Sequence, residues 1–233
     1  MNLDRLVPRL LGVAFLIVIV INVISGQLLG SLGYSQVEPT DNISETMINI
    51  SDNPIMMHIG IIGYLIEAVA IVLLTVLLYI TLKKQDKTIA LFAFGLWIIE
   101  AVMVAAKEIS AFGLLYSSQE YVKAVATDSS YLLTLGDMFY ESTLFIYDAQ
   151  MVFYCIGGIM FYYLFLKSKY VPKFLSAFGI FVASLGLIGI LFGLLGYNVP
   201  LYVFLPILPF ELAIGIWLMV KGINPQEIKS KSG

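Results

Sequence analysis

The chain has 233 residues, 60% of them hydrophobic and 12% charged, against roughly 45–50% and ~25% in an ordinary soluble domain. Those proportions exclude water as the main solvent of the fold, and the formal net charge of -3 says little until its distribution is known. Apolar runs about as long as a ~30 Å hydrocarbon core recur along the chain, while the ~10-residue alternation of a membrane β-barrel is absent.

The first predicted span covers residues 10–32. It starts after Arg5 and Arg9, lacks a small-residue cleavage site and runs into "SGQLLGSLG", so it reads as an uncleaved helix. "SQVEPTDNISETMINISDNP" follows with four acids and no base. Its Asn42-Ile-Ser and Asn49-Ile-Ser tripeptides have the form of glycosylation acceptors, but a polar surface loop is the favoured reading of so short a motif. The second span, 57–82, carries Glu67 and ends at Lys83, Lys84 and Lys87. The third, 88–106 with a helical extension to 115, contains "GLWIIEAVMVAAKEIS", with Glu100, Lys107 and Glu108. Residues 117–142 are expected outside the bilayer, with Asp128 and Ser129 capping a fourth helix that begins there and spans the membrane at 143–166. That helix carries Asp148 and Cys155, the single cysteine, which leaves no internal disulfide.

In the fifth span, 173–196, Gly179, Gly186, Gly189, Gly193 and Gly196 draw a smooth stripe along one face, the pattern by which membrane helices pack closely. Gly157 and Gly158 of the fourth helix are its expected neighbours. "GYNVP" turns the chain into the sixth span, 199–221. Pro206 and Pro209 there are expected to kink the helix and free the carbonyls of Tyr202 and Leu205, and Glu211 follows Pro209 by two residues.

The expected architecture is all-α: a six-transmembrane-helix bundle formed by residues 1–233 as a single integral membrane domain in the lipid bilayer. Arg5, Arg9, Lys83, Lys84, Lys87, Lys167, Lys169, Lys173, Lys221, Lys229 and Lys231 all fall on one side. That is eleven of the thirteen basic residues. Basic residues accumulate in cytoplasmic loops, so both termini are expected in the cytoplasm of a cell-membrane protein.

Counting 1.5 Å per residue from the lysine ending each helix places Glu211 at ~15 Å, Glu100 at ~20 Å, Glu67 at ~24 Å, Asp148 at ~28 Å and Lys107 at ~30 Å from the basic side. At that depth Lys107 and Glu108 are expected to reach water by snorkelling. The others do not escape so easily, because a charge at a helix centre costs about 2.5–3.5 kcal/mol on insertion scales. Glu67, Glu100 and Glu211 should therefore face the protein interior. They either hydrogen-bond neighbours as packing groups or line an outward-opening acidic pocket with Asp148 near its mouth. A carboxylate-only site suits a hard cation, whereas His58, the single histidine, lies at the outer end. No nucleophile, phosphate-loop or metalloprotease motif is present. No catalytic residue, metal ligand or cofactor is assigned, and nucleic acid is not an expected partner.

The order of these features resembles a prokaryotic membrane family known as domain of unknown function 4386. The likeness runs from "NISDNPIMMHIGIIGYLIEAVAIVLLTVLLYITLKKQDKTIALFAFGLWIIEA" through "FLKSKYVPKFLSAFGIFVASLGLIGILFG" to "FELAIGIWLMVKG". It implies six helices, a cell-membrane location and an Arg at the place of Trp97, three residues before Glu100. Trp97 departs from that pattern, so Glu100 must find another partner. The leading functional expectation is a protein that binds or transports a small molecule or cation through Glu67, Glu100, Glu211 and Asp148. The alternatives are an accessory subunit whose glycine face binds a membrane-protein partner and, third, an intramembrane enzyme.

Overall fold

A computed structural model describes residues 3–36, 39, 42–124 and 126–223. The side chains of Arg5, Asp128, Lys229 and Lys231 lie outside the described residues. The fold is all-α. Its elements are α1 (Leu3–Gly30), α2 (Ile43–Asp52), α3 (Pro54–Leu82), α4 (Lys87–Tyr121), α5 (Ala126–Ser168), α6 (Lys173–Leu194) and, after a 3-10 turn at Leu201–Val203, α7 (Ile207–Lys221). Among the described residues six segments are long and apolar enough to cross a membrane. Their outward faces carry large apolar side chains, with Val69 70% and Ile109 76% exposed, a surface suited to lipid.

Three expectations need correction. First, α4 runs past 115 to Tyr121, and the fourth helix, α5, begins within 117–142 as expected but at Ala126, so that positions 128 and 129 lie inside it instead of capping it. At 43 residues α5 is about 65 Å long, twice the thickness of a hydrocarbon core. Hydropathy marks the membrane-crossing part of a helix, whereas tertiary packing decides how far it continues. The acidic loop, second, folds in part as α2. Asn42 Oδ1 accepts from Glu45 N at 3.3 Å to cap it, and Thr46, Met47 and Ile50 form its buried side. Third, the prolines of the last span do not kink a continuous helix. Pro206 is the N-cap of α7 and Pro209 lies in its first turn, where the N–H that proline lacks would have had no helical acceptor.

Contacts divide the chain into two units. The first comprises Met1–Ile19, Val69–Ala101 and Gln150–Gly233, the second Val20–Ala68 and Val102–Ala149. Trp97 is the hub of the first. Its indole stacks on Tyr154 at 5.8 Å, meets Phe161 and Phe15 edge-on at 5.1 and 6.4 Å, and donates Nε1–H to the Tyr154 carbonyl at 3.0 Å. Gly157 leaves room for it: a Cβ there would lie 2.8 Å from Nε1. Gly157 thus faces Trp97, not the α6 stripe, while Gly158 is 3.9 Å from Ala183 by the same measure. The stripe itself is filled by this unit. Gly179 meets Phe210 and Tyr162, Gly186 meets Cys155 and Ile207, and Gly189 meets Val203 and Phe204, whereas a Cβ at Gly193 would meet nothing within 4 Å among the described residues of other elements. The expectation that Gly193 touches a helix of the same chain is therefore wrong.

At the lysine-rich turns of this unit Asp86 accepts from Ile89 N at 3.1 Å and pairs with Lys167 at 3.5 Å. The Ile89 N–H first, and then the Lys167 charge, hold its carboxyl below the usual carboxylate range. The second unit is organised around the α1–α2 linker. Gly33 turns it at φ 83°, a conformation open to glycine, and Tyr34 then enters the protein as a buried side chain.

Candidate functional site

In the second unit α3 supplies Tyr64 and Glu67, one turn apart on one face, and α4 supplies Lys107 and Glu108. Lys107 is 1% exposed. Its Nζ donates to Gln36 Oε1 at 2.9 Å and lies 3.7 Å from the centroid of the Tyr64 ring, with the Tyr147 ring at 5.8 Å. A desolvated cation over an aromatic face gains about 2 kcal/mol. Glu67 and Glu108 are also buried, and Glu67 Oε1 accepts from Asn22 Nδ2 at 2.9 Å. The ammonium attracts both carboxylates, which repel each other. Glu67 Oε2 and Glu108 Oε2 are buried without a hydrogen-bond donor among the described residues.

Residues 34–36 of the linker place the amide that meets Lys107. Tyr34 Oη donates to Thr143 Oγ1 at 2.9 Å, Tyr140 Oη donates to the Ser35 carbonyl at 2.8 Å, and the two rings pack at 5.5 Å. Gln36 is thereby brought onto Lys107. The snorkelling expected of Lys107 and Glu108 is overturned: depth along an isolated helix omits whatever folds over its end. Removing such ions from water costs several kcal/mol each, which their mutual attraction and the aromatic and amide contacts offset.

Of the four carboxylates singled out from sequence, Glu67 and Asp148 belong to this unit, with Asp148 half-buried on α5. Glu100 and Glu211 belong to the first unit, where both act electrostatically on Cys155 and Tyr162. Glu211 Oε1 accepts from Tyr154 Oη at 2.6 Å. Glu100 is 6% exposed. Trp97, standing where the resemblance implies Arg, packs as an apolar hub. His58 is exposed and its Nδ1 lies 2.7 Å from the Pro54 carbonyl. No cluster of three metal-ligating side chains occurs among the described residues.

Sequence reasoning did not group Lys107 and Glu108 with Glu67, nor Asn22, Gln36 and Tyr64 with them. Asn22 gave a signal, being an amide inside an otherwise apolar span. Tyr64 gave another, one turn before Glu67. Gln36 gave none, because its role depends on how the linker folds.

No curated protein and no solved structure matches the chain. The model of one family, described as Domain of unknown function (DUF4386), matches residues 10–222. With that match over nearly its full length and six helices fit to cross a bilayer, the chain is a multi-pass membrane protein that belongs to the DUF4386 family.

Proposed function

We propose that the protein binds a small cation or a small protonatable molecule and moves it across a cell membrane, with Lys107, Glu67 and Glu108 as the exchangeable ion site. The observation that supports this reading is a charge count. One buried ammonium serves two buried carboxylates, and each carboxylate keeps one buried oxygen without a donor among the described residues. With all three ionised the group carries one net negative charge, in surroundings where charges interact several-fold more strongly than in water. A single proton or monovalent cation neutralises it. Exchange of one for the other is an elementary coupling step, and intramembrane ionisable residues commonly mark ion pathways. Glu100 and Glu211, with their tyrosine partners, are read as further ligand-contacting groups and Asp148 as a peripheral one. Both termini are assigned to the cytoplasm by the lysine pattern. An accessory role through the glycine face has less support, since Gly179, Gly186 and Gly189 are covered by side chains of their own chain.

Thermal unfolding of the purified protein in neutral detergent, titrated with sodium, potassium or choline chloride, tests the reading. An alkali cation should raise Tm more at mildly alkaline than at mildly acidic pH, because protons compete for the same carboxylates. Glu67→Gln and Glu108→Gln should remain folded and lose that cation-dependent rise. Variants that respond like the parent would show that the exchangeable site lies elsewhere.

A further inference from the structure

A cleft of about 360 Å³ lies in the first unit, between the turn joining α5 to α6 and the C-terminal end of α7. Lys169 and Lys173 line it from the turn, Lys221 and Trp217 from α7, and none of the described residues lining it is acidic. We propose that this cleft binds the phosphate headgroup of an anionic phospholipid.

Charge is the first argument. Lys167, in the same turn, has the structural arrangement expected of a surface lysine, an ion pair with Asp86 at 3.5 Å. Lys173 and Lys221 have no ion pair among the described residues. Three lysines line this one concave surface, and an anion with several oxygens can accept hydrogen bonds from more than one of them.

Depth is the second. Lys173 opens the span Lys173–Leu194 and Lys221 closes the span Leu201–Lys221, so the cleft lies at the level of the bilayer interface, where lipid phosphates are. Pro172 caps α6 without a side-chain hydrogen bond, which leaves the first-turn N–H groups of this 22-residue helix available to an anion as well.

The third argument separates a lipid from a soluble anion. Trp217 lines the cleft and is still 36% exposed, at a depth where indoles anchor to the interface. Val220 on α7 and Phe174, next to Lys173, are large exposed apolar side chains. An amphipathic ligand matches both surfaces: phosphate oxygens on the lysines, acyl chains along the apolar helices.

The full-length protein in neutral detergent is titrated with dioleoyl phosphatidylglycerol, dioleoyl phosphatidylcholine or inorganic phosphate, with bound lipid counted by native mass spectrometry and Tm followed in parallel. Phosphatidylglycerol should bind and raise Tm, and Lys173→Gln with Lys221→Gln should weaken it about 30-fold, roughly fivefold per lysine. Lys83→Gln with Lys84→Gln removes the same charge from the other basic turn and should leave affinity unchanged. Lys169 has φ 56°, a conformation glycine adopts without strain. Lys169→Gly should therefore raise Tm without lipid while lowering phosphatidylglycerol affinity, a pair of effects that a purely structural lysine would not give. Equal binding of phosphatidylcholine, or equal loss in the Lys83 and Lys84 control, overturns the site. A Tm rise with inorganic phosphate matching that with phosphatidylglycerol overturns the lipid as its occupant.

Discussion

Lys107 concentrates the energetics of the second unit in one side chain. Its removal leaves two buried carboxylates without their cation, and breaking a buried pair from one side costs about 3–5 kcal/mol. Lys107→Met should lower Tm accordingly in detergent, and adding Glu108→Gln should recover part of the loss, since the second change removes one of the two orphaned charges and their mutual repulsion. A Lys107→Met protein that melts like the parent would mean that both carboxylates are already neutral there. Glu67, Glu100 and Glu211 were legible in the sequence because an acid in an apolar run is costly wherever it points, and Glu67 and Glu100 are indeed buried. The burial of Lys107 was not legible. It depends on Gln36, 71 residues away, and on the Tyr34–Thr143 bond that closes the linker over it. Likewise the resemblance implies an arginine where Trp97 stands, but only packing shows the indole stacked on Tyr154.

The helices were read best where hydropathy and length coincide. Spans expected at 57–82 and 173–196 correspond to α3 (Pro54–Leu82) and α6 (Lys173–Leu194). α4 and α5 extend a few residues beyond the helix expected at their polar ends, to Tyr121 and from Ala126, because polar residues there resemble loop, and α2 escaped because its buried side comprises three residues. Pro206 and Pro209 marked the place of a break correctly and its kind incorrectly: the same missing N–H that disrupts a helix interior is harmless in a first turn. The α6 stripe divides in the same way, since spacing identifies a smooth face without saying how far a neighbour covers it. Gly186→Leu should overpack against Cys155 and Ile207 and destabilise by about 1–3 kcal/mol. Gly193→Leu should melt within error of the parent, since a side chain there meets open space. Equal destabilisation by the two would mean that another molecule covers Gly193 in solution.

The direction of the chain through the membrane rests on the lysine pattern and is open to a direct test. Cys155 is buried, so cysteines introduced at Ser44 and at Lys84 can be labelled against a quiet background. An impermeant thiol reagent should modify Ser44→Cys in intact cells and Lys84→Cys only after lysis; the reverse result would invert the topology. The linker that seals Lys107 also sets a timetable for the nascent chain. Thr143 is synthesised 109 residues after Tyr34, the residue it holds. At about 5–20 residues per second the linker waits roughly 5–20 s for its partner. α3 and α4 are made earlier, bringing Glu67, Lys107 and Glu108 before anything can be pinned over them. A ribosome that stops before α5 leaves Lys107 without the residues that pin the Gln36 segment against it.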